Sequence, residues 1–146
     1  IQNISLLGKI MTTKISADHA RELARAFREV SVQLGNYRFN NWNTLTPKER
    51  QELEDLEWTL LNYSSDLITL AVGLTLDDSK ASLDRIQKAT TQAKEAIETI
   101  KNIKKAIIIA GAVMKLGAAI VTKNPGMIDS AVDDIFSALT SDNDAQ

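Results

Sequence analysis

The chain has 146 residues, of which 44% are hydrophobic and 25% are charged, and its formal net charge is −2. This length and composition predict one globular domain over residues 1–146, with a core large enough to need no metal or disulfide. The absence of cysteine excludes disulfides, thiolate metal sites and cysteine nucleophiles. The slightly negative charge gives no electrostatic reason to expect nucleic acid as a partner.

Apolar residues recur at steps of three and four along almost the whole chain, which predicts an all-α protein. The first helix is predicted from about Ser16 to Leu34, with Gly35 as its C-terminal stop. Its apolar stripe consists of Ala20, Leu23, Phe27, Val30 and Leu34. The following segment, GNYRFNNWNTL, is predicted to be a polar loop that carries several aromatic residues.

The second helix has the clearest start signal, since the segment TPKE at 46–49 combines a capping box with proline at the first helical position. We expect this helix to continue to about Leu76. Its predicted apolar face consists of Leu53, Leu56, Leu60, Leu61, Leu67, Ile68, Leu70, Ala71 and Leu74. The segment LDDSK at 76–80 is the only break before the third helix, and so short a break favours an antiparallel helical hairpin.

The third helix is predicted to be the longest, from about Ser79 to Thr122, with possible bends at Gly111 and Gly117. The segment NPG at 124–126 then ends it, and a short fourth helix is predicted over about 126–140. The last residues, TSDNDAQ, are predicted to form a frayed acidic tail.

The apolar part of the third helix is shorter than the roughly 20 residues of a membrane span, and Lys115 interrupts it. On a helical wheel its lysines share a wedge about 100° wide, which predicts a solvent-exposed ridge of Lys101, Lys104, Lys105, Lys115 and Lys123. Val113, Met114 and Ile120 lie on the opposite side and are predicted to be buried. Because one neighbour cannot cover so broad an apolar arc, the third helix is predicted to be the central one.

Catalytic signatures are missing from the sequence, so we predict no catalytic, cofactor-binding or metal-binding residues and no enzyme activity. His19 is the single histidine and is interpreted as a surface or capping residue near a helix start. The acidic residues of the second helix lack the ExxH motifs of a carboxylate metal site. Glu57 points toward the apolar arc and is predicted to pair with a lysine of the third helix.

Two groups of residues are candidate interaction sites. The first is the aromatic loop, whose side chains can stack on bases or sugars, anchor at a lipid headgroup or close the end of a helix bundle: Tyr37, Arg38, Phe39 and Trp42. The second is the lysine ridge, which is a solvated face, a surface for anionic lipid headgroups or a docking surface for an acidic helix.

The predicted fold is therefore an all-α, mostly antiparallel bundle of four main helices, with a long hairpin and an apolar central helix. Its general layout resembles that of α-helical membrane-active domains such as helical pore-forming toxins, with no shared motif and no residue carried over. Two functions follow. One is an interaction module that binds a protein partner or its own copy, and the other is a membrane-active bundle that exposes its apolar helix to an anionic membrane.

Overall fold

The computed structural model describes residues 14–74 and 83–140, and the prediction of an all-α protein is confirmed there. Five helices, rather than the four predicted, occupy this part of the chain: α1 (Ala17–Asn40), α2 (Pro47–Leu70), α3 (Leu83–Thr99), α4 (Ile103–Val121) and α5 (Pro125–Thr140). The predicted break at 76–80 and the acidic tail beyond residue 140 lie outside the described residues.

The first helix begins where the sequence predicts but ends later. Ser16 caps α1 by accepting a hydrogen bond from the backbone N–H of His19 (3.1 Å). Gly35 does not end the helix, which continues to Asn40, so the predicted stop is wrong. The presence of glycine at this position is explained by its small size rather than by a helix end, because a β-carbon at Gly35 would lie 3.0 Å from Oε1 of Glu57.

The second helix begins with the predicted capping box. The Thr46 side chain accepts from the backbone N–H of Glu49 (3.1 Å), and the Glu49 carboxylate accepts from the Thr46 N–H (2.9 Å). The helix ends at Leu70, earlier than predicted, and Gly73 follows in the left-handed conformation with φ of 82°. Backbone hydrogen bonds from Ile15 to Leu74 (2.9 Å) and from Gly73 to Ile15 (2.7 Å) tie the end of this segment to the start of α1.

The predicted long third helix is in fact two helices. The chain leaves helical geometry at residues 100–102, and Asn102 caps a new helix by accepting from the N–H groups of Lys104 (2.9 Å) and Lys105 (3.3 Å). Helix α4 then runs without interruption through Gly111 and Gly117, the positions at which the sequence suggested a bend.

The paired helices do not all alternate in direction. Helices α1 and α2 are antiparallel, since the Ser31 hydroxyl donates to the Glu57 carbonyl (2.9 Å) and the Ser64 hydroxyl donates to the Ala24 carbonyl (2.6 Å). Helix α3 runs parallel to α1. Two polar contacts show this, namely Gln87 to Glu22 (2.8 Å) and Lys94 to Glu29 (3.5 Å). Both join residues 65 apart in the sequence, as expected when the two helices advance in the same direction.

Helix α4, the most apolar, contacts each of the other four helices. Its fully buried side chains include Ile109, Val113, Leu116 and Ile120, and burial of each stabilises the fold by about 1.5–3 kcal/mol. In the described part of the chain, α2 packs on α1 and α4 and makes no contact with α3, so the predicted hairpin between the second helix and the start of the third does not form there.

The junction of α4 and α5 follows from two backbone hydrogen bonds that end α4. Asn124 N–H donates to the Ala119 carbonyl (2.9 Å) and Lys123 N–H donates to the Ile120 carbonyl (3.0 Å), with Lys123 in the left-handed conformation at φ of 56°. Asn124 then caps α5 by accepting from the N–H of Met127 (3.2 Å).

Candidate functional site

The predicted aromatic loop is largely helical. Tyr37, Arg38 and Phe39 lie in the last turn of α1, and only Trp42 lies in the turn that leads to α2. Tyr37 points inward and is 7% exposed, with its hydroxyl donating to the carbonyl of Lys101 (3.4 Å). Burial, and secondarily the negative charge of Glu49, raise the pKa of this hydroxyl above its ordinary value.

Arg38 forms a bidentate ion pair with Glu57 across the α1–α2 contact. The Nε of Arg38 lies 2.6 Å from Oε2 of Glu57, and Nη2 donates to Oε1 at 3.1 Å. Both side chains are largely buried, and hydrogen bonding to Glu57 raises the pKa of Arg38. The prediction that Glu57 pairs with a lysine of the third helix is therefore wrong, because α1 extends far enough to supply an arginine instead.

Phe39 and Trp42 are the exposed members of the predicted group. Phe39 is 78% exposed at the end of α1. Trp42 is held in place by Arg50, whose guanidinium lies 4.5 Å from the centre of the indole ring and whose Nε donates to the Trp42 carbonyl (3.0 Å). This end of the α1–α2 pair therefore presents two aromatic side chains to solvent, one of them fixed by a cation–π contact.

Further large hydrophobic side chains are exposed on α2 and farther along α1. Trp58 is 61% exposed, and Val32 and Ile68 are each about half exposed. Ile68 and Leu70 are predicted on the apolar face of the second helix, but both are exposed. Val32 and Trp58 were missed, although their position off the apolar stripe of their helix could have identified them as exposed.

These side chains lie on one side of the α1–α2 pair. Around α2, Glu57 and Ser64 face α1, and Tyr63 faces α4. Trp58 and Ile68 lie on the opposite side of the α1 contact from Tyr63. Around α1, Val32 and Phe39 lie on the same side of the α1–α2 contact, about 20° apart around the helix axis. Leu61 of α2 is partly exposed on the same side. We call this surface the outer face, defined by Val32, Phe39, Trp58, Leu61 and Ile68.

The predicted lysine ridge is not a single surface. Lys101 lies in the link before α4, Lys104 is exposed in its first turn, and Lys123 lies beyond its end. Lys115 pairs with Asp134 (2.8 Å) and donates to the Ser130 hydroxyl (3.0 Å). Lys105 is only 7% exposed, which contradicts its predicted exposure.

Helix geometry accounts for the burial of Lys105. It stands about 100° around α4 from Lys104, on the side of the buried residues Ile109 and Leu116. The prediction of one ridge treats residues 101–123 as one continuous helical surface, whereas Lys101 precedes the new helix start at Asn102. The predicted burial of Val113 and Ile120 is correct, and Met114 is partly buried.

Among the residues that the structure describes, no three histidine or carboxylate side chains come together as ligands of a metal ion would. None of the described helices combines enough length with enough apolar character to cross a bilayer. No protein-family model matches the chain, and no curated protein or solved structure matches it either.

Proposed function

We propose that this protein is a non-enzymatic interaction module that binds a partner protein, or a second copy of itself, through the outer face. The observation that carries the proposal is that four of the exposed large hydrophobic side chains lie on one side of the α1–α2 pair, namely Val32, Phe39, Trp58 and Ile68. Groups of exposed apolar side chains often mark protein-binding surfaces, and aromatic residues are enriched where binding energy is concentrated.

The rigidity of this surface supports the same proposal. The outer face stands on two helices that are joined by the Arg38–Glu57 ion pair and by hydrogen bonds from Ser31 and Ser64. Helices fixed in this way present side chains at little entropic cost, because the backbone does not have to be ordered on binding. The cation–π contact of Trp42 with Arg50 likewise reduces the motion that a partner would have to restrict.

A photo-cross-linking experiment tests the proposal directly. A photoreactive amino acid replaces Trp58 in one variant and the exposed Ser137 of α5 in a matched control. We expect position 58 to form saturable, discrete adducts with a partner protein or a second copy of the chain, and position 137 to form none. We expect Phe39→Ser to reduce the amount of adduct at position 58. Equal labelling at both positions, or none at 58, would refute the proposal.

The two tryptophans of the chain, Trp42 and Trp58, provide a second measurement. Because both are exposed on or beside the outer face, burial by a bound protein is expected to shift their fluorescence to shorter wavelength. Anionic vesicles test the alternative proposal, in which the protein is a membrane-active bundle that exposes α4 to the bilayer. Dye leakage from such vesicles without any protein adduct would favour that alternative, although α4 would first have to leave four packed neighbours.

A further inference from the structure

Two arginines on α1 extend the outer face with positive charge. Arg25 and Arg28 are exposed, and within the described part of the chain neither forms an ion pair. The neighbouring acidic groups have other partners: Asp18 binds Arg21, Glu22 accepts from Gln87, and Glu29 pairs with Lys94. The guanidinium groups of Arg25 and Arg28 are thus available to a carboxylate from outside.

These arginines line a groove of about 380 Å³ between α1 and α3. Three cationic side chains and one carboxylate surround it, together with Val32 and Gln33: Arg25, Arg28, Lys94 and Glu29. Lys94 lies between the carboxylates of Glu29 (3.5 Å) and Glu98 (3.9 Å), so Arg25 and Arg28 supply the positive charge of the groove, on a chain whose formal net charge is −2. Such a reversal of sign marks the surface as complementary to an acidic ligand.

The charged and apolar parts form one continuous strip along α1. Arg25, Arg28, Val32 and Phe39 recur at steps of three, four and seven, which keeps them within an arc about 60° wide. From Arg25 to Phe39 the strip is about 21 Å long at 1.5 Å per residue. Positive charge lies toward its N-terminal end and apolar surface toward its C-terminal end, where Trp58 of α2 adds to it.

We propose that the outer face binds an acidic peptide segment of another protein, whose carboxylates pair with Arg25 and Arg28 while its apolar side chains rest on Val32, Phe39 and Trp58. This inference rests on the proposed function and adds the chemistry and orientation of the partner. Arginine suits the role because its planar guanidinium group binds carboxylates in a bidentate manner.

A peptide fits these observations better than other anions do. Free phosphate would leave the adjoining apolar side chains without a role. An anionic membrane would be expected to use a broad basic surface, but Lys105 is buried and Lys115 is paired with Asp134, so the lysines predicted to meet it do not share a face.

The test uses the full chain and a synthetic amphipathic peptide of about sixteen residues built from glutamate and leucine, long enough to cover the strip as a helix. A matched peptide carries glutamine in place of glutamate. Binding is followed by tryptophan fluorescence and by the anisotropy of a labelled peptide. We expect the acidic peptide to bind more tightly than the neutral one, and its affinity to fall as salt rises from about 0.05 to 0.5 M.

The decisive variant is Arg25→Gln/Arg28→Gln, which is expected to weaken binding of the acidic peptide about tenfold, since each exposed pair contributes modestly. A control with the same change in net charge, Lys104→Gln/Lys123→Gln, alters two exposed lysines at the two ends of α4, on the other side of the α1–α2 pair, and is expected to leave affinity within about twofold. Circular dichroism of both variants reports that the fold is retained.

The outcomes separate this inference from the proposed function. Equal binding of both peptides, or equal loss in the arginine variant and its control, would overturn the acidic partner while the outer face remained a protein-binding surface. Binding to vesicles of phosphatidylserine without binding to the acidic peptide would overturn it in favour of a membrane. Absence of any fluorescence change together with absence of cross-linking at position 58 would overturn both proposals.

Discussion

The two glycines inside α4 are predicted to respond differently to the same substitution. A β-carbon at Gly117 would lie 2.7 Å from Cε2 of Phe27 and 3.0 Å from the Tyr63 ring, and Phe27 is fully buried. A β-carbon at Gly111 would meet nothing within 4 Å. Gly117→Ala therefore forces one of two rings to move, whereas Gly111→Ala only adds a methyl group at an open position.

The magnitudes follow from two opposing terms. Replacing glycine by alanine inside a helix stabilises it by about 1 kcal/mol at either position. Overpacking in a filled core costs about 1–3 kcal/mol, and this cost applies only at Gly117. We therefore expect Gly111→Ala to raise the free energy of unfolding by about 1 kcal/mol. Since the helix-propensity gain is common to both, the two variants should differ by about 1–3 kcal/mol.

Urea denaturation followed by circular dichroism measures this difference. The midpoints of the two variants are expected to be separated by on the order of 1 M urea, with unchanged slopes. Equal stabilisation by both substitutions would refute the reasoning, because it would mean that the close approach of α4 to Phe27 and Tyr63 does not require glycine. Destabilisation by Gly111→Ala would contradict the open surroundings at that position.

Three further predictions concern the ion pair, the buried tyrosine and the end of α4. Glu57→Gln is expected to lower the free energy of unfolding by about 1.5–3 kcal/mol, because it leaves the largely buried Arg38 without its charged partner; a double-mutant cycle with Arg38→Met should show coupling of at least about 1 kcal/mol, and its absence would contradict this. Because the folded-state pKa of Tyr37 is raised above the ordinary value of 10.0, its contribution to stability is complete below pH 10 and is lost as pH rises through the folded pKa. Denaturation at increasing pH should therefore show a loss of stability that Tyr37→Phe reduces, and identical profiles would count against it. Lys123→Gly is expected to stabilise the protein by about 1 kcal/mol, because glycine tolerates the positive φ at the end of α4, and thermal melts showing no gain would argue that the left-handed turn is relaxed.

The sequence predicted correctly those features of the helices that depend on contacts between residues close together in the chain. The capping box at Thr46, the start of α1 and the turn at 124–126 each depend on contacts between close neighbours in the chain. The break at Asn102 also depends on a local contact, because asparagine is a favoured N-cap residue. It is not predicted, because the apolar pattern continues on both sides of it.

The candidate site was predicted only in part. Phe39 and Trp42 were identified from their place among polar residues, and both are exposed. Trp58 and Val32 complete the outer face only because α1 and α2 lie antiparallel, and no periodicity within one helix specifies that relation. The sequence also suggested five lysines on one surface, an expectation that failed because it assumed a single helix through residues 100–102.

Helical periodicity and capping chemistry act over a few residues, so the amino-acid sequence alone determined that this protein is helical and that one of its segments is unusually apolar. Which faces meet depends on contacts between residues far apart in the chain. The Arg38–Glu57 pair, the burial of Lys105 and the approach of Gly117 to Phe27 were decided only by tertiary packing. In the part of the chain that the structure describes, the same packing leaves Arg25, Arg28 and most of the outer face exposed.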